Sequence, residues 1–123
     1  MAVRNPLVLI SGDIEELPSG DTVNGAGGGY TIVNQSSTPY NATQTSGHVI
    51  ILCDCTSNAI TVNLPTAVGN TAKFDIKKTD SSANAVTIDG DSTESIDGSA
   101  TASLAVANVS VTLVSDNSNW KVI

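Results

Sequence analysis

Cys53-Asp54-Cys55, with His48 five positions before it, is the stretch whose residue types come closest to a reactive or metal-binding site. Residues two apart on an extended strand share a face. Both thiols therefore point the same way, and they would hold a soft metal if further ligands converged on them. Cysteine is also among the most buried residue types, and the weightier reading makes both small hydrophobes of a reduced chain, since a bridge between them would be strained. A second cluster, Asp89-Gly90-Asp91-Ser92-Thr93-Glu94-Ser95-Ile96-Asp97, gathers four carboxylates, the oxygen ligands that Ca²⁺ takes. Its glycine stands second, where an EF-hand loop needs it sixth, so solvated turns are expected. No metal and no cofactor is expected at either place.

Hydrolytic chemistry would have to use His48, the single histidine, as base beside a hydroxyl and an orienting carboxylate. No nucleophile elbow accompanies it, and a histidine at a strand entrance next to Gly47 reads as structural. A glycosidase needs two carboxylates flanking a sugar cleft, and a domain of this size leaves no room for a deep one within a single copy. Gly25-Ala26-Gly27-Gly28-Gly29 neither follows a strand nor opens a helix, so it does not read as a phosphate-binding loop. A non-enzymatic protein is expected.

The elements that would position these residues are strands. From Tyr30 onward, short β-branched runs alternate with turn residues, the spacing of an all-β domain. Tyr30–Val33, Val49–Cys53, Ile60–Leu64, Lys73–Lys78, Ala85–Ile88, Ser95-Ile96, Leu104–Val106, Val109–Val114 and Trp120–Ile123 read as strands, with Asn34 to Gly47 a polar loop. Period-two alternation turns Phe74 and Ile76 inward and Lys73, Asp75 and Lys77 outward. Asp89-Gly90 and Asp97-Gly98 are strong turn signals. Short strands with brief connections predict antiparallel pairing around one core, hence a small antiparallel β-sandwich, jelly-roll-like, over 30–123. Phe74, Ile76 and Trp120 are its candidates for core or subunit packing.

Residues 1–29 read as an extended N-terminal arm ending in a glycine hinge, because Pro6, Pro18 and the glycine run interrupt any long element. Its apolar content is concentrated in Leu7, Val8, Leu9 and Ile10, a run too short for a signal-peptide core or a membrane span. Twelve acidic against five basic residues give a net charge of −7, which disfavours nucleic acid and anionic membranes as partners. Only four side chains are aromatic (Tyr30, Tyr40, Phe74 and Trp120), so the core is lean in large side chains and the composition favours an oligomer.

Phe74 to Ile88, Glu94-Ser95-Ile96-Asp97-Gly98, Ser110 to Asp116 and Asn119-Trp120, together with Thr61-Val62-Asn63-Leu64-Pro65, resemble modules of bacteriophage virion structural proteins, of the kind found in fibre, tail and head-decoration proteins. Asn5 to Gly12 and Glu16 to Thr22 are similar to the leading segment of small phage structural proteins. The resemblance covers roughly the second half of the chain and part of its start. It implies a homotrimeric, non-enzymatic virion component: a capsid decoration or cement protein, with a fibre or receptor-binding knob as the alternative. Its partners would be itself and the major capsid protein or another virion protein, and Leu7, Val8, Leu9 and Ile10 would anchor it to the capsid. A carbohydrate-binding module is the reading from another class.

Overall fold

Residues 29–123 are described by a computed structural model. They form nine strands and, among the described residues, no helix: β1 (Tyr30–Gln35), β2 (Tyr40–Asn41), β3 (His48–Cys53), β4 (Ile60–Asn63), β5 (Lys73–Lys78), β6 (Val86–Asp89), β7 (Thr101–Leu104), β8 (Ser110–Ser115) and β9 (Trp120–Val122). The arm and most of its hinge, including Leu7, Val8, Leu9 and Ile10, lie outside the described residues.

The strands make two mixed sheets. One has five strands in the order β9-β8-β5-β3-β1, and the other has four in the order β2-β4-β6-β7. The chain crosses from the first sheet to the second and back. β1 is followed by β2, β3 by β4 and β5 by β6, and each crossing adds one strand to each sheet. Consequently β1, β3 and β5 are parallel neighbours, as are β2, β4 and β6. Only the C-terminal additions are antiparallel: β7 on β6, β8 on β5 and β9 on β8.

The expected antiparallel sandwich or jelly roll is therefore corrected in its pairing, since four of the seven strand pairings run parallel. The physical reason lies in the connections. Parallel neighbours need a crossover of a dozen or more residues, and here the crossover is itself a strand of the opposite sheet. His-Val-Ile-Ile-Leu-Cys of β3 is apolar on both faces after His48, but only Val49, Ile51 and Cys53 are buried, on the core side.

Three smaller expectations also change. Val106 is 68 % exposed and lies outside any strand, and the strand placed at Leu104–Val106 instead runs back to Thr101. Ser95-Ile96 makes isolated bridges from Ile96 to Ser99 and Trp120 instead of a strand. The loop from Asn34 to Gly47 contains β2, whose two residues add an edge to β4.

One core lies between the sheets. Val49, Ile51 and Cys53 of β3, Phe74 and Ile76 of β5 and Leu113 of β8 meet Ile60 and Val62 of β4, Val86 and Ile88 of β6 and Leu104 of β7. Phe74 and Trp120 pack edge to face with ring centroids 5.5 Å apart, a favoured geometry for two aromatic rings. The Trp120 indole N–H donates to the Pro65 carbonyl at 3.1 Å, so its single polar atom is satisfied inside the core. The two large rings thus pack together in a core whose other apolar side chains are small or aliphatic.

Gly90 allows the chain to turn after β6. A Cβ there would lie 2.5 Å from the Glu94 carbonyl oxygen, a backbone atom that cannot swing away. Beyond it, Asp97 and Gly98 both have positive φ, and the turn they make closes the bridge from Ile96 to Ser99. The two Asp-Gly signals in the sequence thus fall where the chain reverses between β6 and its antiparallel neighbour β7.

Replacing Trp120 by Ala should cost about 3–5 kcal/mol, the range for a large aromatic removed from a packed core. Urea unfolding followed by circular dichroism measures it. A midpoint unchanged from that of the parent chain would contradict the central place given to this ring.

Candidate functional site

Period-two alternation along β5 carries a lysine inward. Phe74, Ile76 and Lys78 share one face, and Lys78 is fully buried. A buried ammonium requires a counter-charge and enough acceptors for its protons. The chain supplies them two and four residues later: Lys78 Nζ donates to Asp80 Oδ2 at 2.8 Å, to the Asp80 carbonyl at 3.1 Å and to the Ser82 carbonyl at 3.0 Å. All three ammonium protons are thereby used.

Asp80, whose side chain is 7 % exposed, is saturated in turn. Its Oδ1 accepts from the Cys55 N–H at 2.8 Å, and its Oδ2 accepts from the Ser82 N–H at 2.9 Å. The Ser82 hydroxyl lies within reach of both that carboxylate and the Cys55 carbonyl. Asn84 Nδ2 donates to the same carbonyl at 2.8 Å. Burial opposes ionisation of Asp80, yet the hydrogen bonds from Lys78, Ser82 and the Cys55 N–H outweigh it and hold the carboxyl far below the ordinary aspartate range. The cluster ties the turn after β5 to the segment that leaves β3.

Cys53 and Cys55 are both free and buried beside this cluster. Burial pushes the Cys53 thiol up to about 12, and Cys55 and Asp80 nearby add to the effect. Cys55 is also raised, first by burial and then by Asp80. Thiols held protonated in this way are poor nucleophiles and poor metal ligands. Among the described residues no three His, Cys, Asp or Glu side chains converge as a metal site.

His48 lies on the outer face of the five-stranded sheet. Its Nε2 is 2.5 Å from Asp75 Oδ2, and the Thr112 hydroxyl donates to the other oxygen of the same carboxylate. Burial raises the Asp75 pKa, but the hydrogen bonds from Thr112 and His48 prevail and the net shift is downward. The order Thr–Asp–His puts the carboxylate in the middle. In a nucleophilic triad the histidine stands between hydroxyl and carboxylate and takes the hydroxyl proton. Here the hydroxyl is spent on the carboxylate, so the three residues lock β3, β5 and β8 together across the sheet.

Two of the four carboxylates from Asp89 to Asp97 serve separate local structures. Glu94 accepts from the Thr66 hydroxyl at 2.6 Å and from the Ala67 N–H at 2.8 Å, while Asp97 accepts from the Val122 N–H at 3.1 Å. Phe74, Ile76 and Trp120 are all fully buried within the chain's own core.

Two adjoining depressions open beside Asp54 and Thr79. The larger, about 400 Å³, is also lined by Thr56, Asp80, Ser81, Ala107 and Asn108, and the other, about 300 Å³, by Asn34, Gln35, Ser36 and Leu52. The carboxylates in the larger, Asp54 and Asp80, both have lowered pKa values, Asp54 through hydrogen bonds from the Thr56 hydroxyl and N–H. A glycosidic general acid needs a raised one. Neither depression presents an aromatic ring on which a sugar face could stack.

The surface feature with most physical content is the outer face of β1 and β3. Tyr30 and Ile32 are 61 % and 49 % exposed. Ile32 pairs with Ile50, and Leu52 follows on β3; Ile50 and Leu52 are half-buried on the same face. Val49–Cys53 is apolar at every position, so its second face is apolar too. The unbroken run His48 to Cys53 was the available signal. The inward Lys78 was equally legible, two positions beyond Ile76 on the same alternation.

Compared with protein-family models, with curated proteins and with solved structures, the chain matches none.

Two outcomes follow from the buried cluster. A depressed carboxyl stabilises the fold fully above the ordinary aspartate pKa, about 4, and loses that contribution as pH falls through its lower folded-state value. Asp80→Asn should therefore lower the urea midpoint at neutral pH and flatten the fall in stability below pH about 4, as a pH series of urea melts would reveal. The thiols should stay unreactive toward a thiol-titrating reagent at neutral pH in the folded protein, and both should react once urea unfolds it. Prompt labelling of the native chain would refute their burial.

Proposed function

We propose that this chain is a structural virion protein of a bacteriophage, a capsid decoration or cement protein that acts as a homotrimer and carries no enzymatic activity. The observation that supports it most is the apolar strip Tyr30, Ile32, Ile50 and Leu52 on the outer face of the five-stranded sheet. A contiguous exposed apolar strip is the kind of patch that other protein surfaces cover. The polar residues around the two depressions offer no comparable gain from burial.

In this reading the strip is where sister copies meet, and the two sheets are the layers of a small sandwich whose leader is an arm. Leu7, Val8, Leu9 and Ile10 would reach a coat subunit, since an extended segment adds affinity by pairing with a sheet edge. Attachment to the assembled lattice, in preference to free coat protein, would stabilise the shell by mass action. The net charge of −7 suits a component crowded in many copies and disfavours contact with packaged nucleic acid. The side-chain geometry agrees with a mechanical role: the titratable clusters on β3, β5 and the following turn are saturated by internal hydrogen bonds.

Sedimentation velocity and capsid pelleting test this reading together. The chain should sediment as a trimer of its 12.5 kDa subunit, saturate phage capsids at a lattice-defined ratio and raise their rupture temperature. Ile50→Glu should shift the trimer toward monomer at micromolar concentration while the circular dichroism spectrum stays that of the parent. A stable monomer that ignores capsids would rule the proposal out, and attachment to host cells without shell binding would favour a receptor-binding knob.

A further inference from the structure

The two ends of the five-stranded sheet are treated differently. At one end, β9 is short, carries Lys121, and is covered by the excursion Ser95–Asp97: the Trp120 N–H donates to the Ser95 carbonyl at 2.9 Å, the Asp97 N–H to the Trp120 carbonyl at 3.0 Å, and Asp97 accepts from the Val122 N–H. At the other end, β1 is six residues long, Tyr-Thr-Ile-Val-Asn-Gln, without charge, proline or glycine. Among the described residues nothing pairs with its outer edge. A long, uncharged, β-branched open edge is the type that folded proteins cover or blunt.

The main chain of that edge can be assigned. On a strand, the N–H and C=O of one residue point to the same side. The Gln35 carbonyl accepts from the Asp54 N–H on the β3 side, so Thr31, Val33 and Gln35 face β3, while Tyr30, Ile32 and Asn34 present their N–H and C=O groups outward. The last core layer at this end is also unfinished: Val33 and Tyr40 are only partly buried against the cluster.

The fold has a step that says where the next strand comes from. Tyr30 is paired with His48, 18 positions on, and His48 with Lys73, 25 positions on. Each parallel neighbour in this sheet is thus separated by one passage through the opposite sheet. Counting back from β1, the shorter observed step of 18 sets residues 12–15 opposite Tyr30–Val33, and the longer one of 25 sets the apolar run Leu7-Val8-Leu9-Ile10 opposite Ile32–Gln35. It is also the longest uninterrupted apolar run in the 28 residues that precede the described ones.

We infer that Leu7–Ile10 of the same chain docks along β1 as a further parallel strand and caps the open edge. This goes beyond the capsid reading and does not depend on it. A leader seated on its own edge is unavailable to a coat lattice until displaced, so the edge and the lattice compete for one segment.

Amide hydrogen exchange on the full-length chain tests the inference, with Val8→Pro, which removes a ladder donor, and Leu7→Asp as separate variants. The Ile32 and Asn34 amides should exchange roughly tenfold or more faster in both variants than in the parent. The β5 amides and the buried Trp120 fluorescence should not change, showing that the variants remain folded. Protection in the parent should also survive dilution. Equal exchange in parent and variants overturns the inference, as does protection lost on dilution, which would mean that a second copy supplies the strand. Capsid pelleting of the parent chain reads out the other proposal separately, since the exchange comparison is made without capsids.

Discussion

A parallel strand pair cannot be closed by a tight turn, and most of this protein follows from how it satisfies that constraint. Each connection between parallel neighbours of one sheet is a strand of the other, so the sheets grow together and share one core from the start. The arrangement switches sheet at each of these crossings. It also leaves an end, because a stack built by repeated crossing must stop somewhere. At the C-terminal side the chain stops by reversing direction: β7, β8 and β9 pair antiparallel, and Ser95–Asp97 folds over β9. At the N-terminal side of the described residues no such reversal is present.

The interior combines apolar packing with one buried ionic cluster. Replacing a buried ion pair by well-packed apolar groups is often neutral or better for stability, whereas removing one partner is costly. Lys78 and Asp80 therefore make more sense as a device that fixes geometry than as a source of stability. By drawing in the N–H of Cys55 and both groups of Ser82, they set the path of the turn after β5 against the end of β3. The same economy appears on the outer face, where Asp75 accepts from Thr112 on one side and contacts His48 on the other, joining three strands. In both clusters the chemistry-bearing side chains are occupied with one another.

Two surface features are not part of these clusters. The outer strip around Ile32 and Ile50 and the outer edge of β1, unpaired among the described residues, adjoin each other, yet they offer different things: the strip offers side-chain area, and the edge offers main-chain hydrogen bonds. A sister copy suits the first and an extended segment suits the second.

Much of the local structure was legible in the residues. The inward placement of Phe74 and Ile76, the strand limits of Lys73–Lys78 and the turns at Asp89-Gly90 and Asp97-Gly98 follow from alternation and backbone preference, which act over a few positions. Burial of Cys53 and Cys55 follows from the same alternation running through Val49 and Ile51. Pairing direction did not follow, because Ile60-Thr61-Val62-Asn63 alternates in the same way whether its neighbour runs with it or against it. That choice depends on which sheet each successive strand joins, a matter of contacts between residues 18 to 26 positions apart. The Lys78 cluster sat between the two cases: its inward direction was written in the sequence, but only the approach of Cys55 and Ser82 made a buried ammonium tolerable. The sequence by itself determined an all-β chain with an aliphatic core and an acidic surface, since these depend on side-chain chemistry and period. The tertiary structure alone decided that the sheets are mixed and that β1 is the last strand of its sheet among the described residues, since both depend on which distant segments lie side by side.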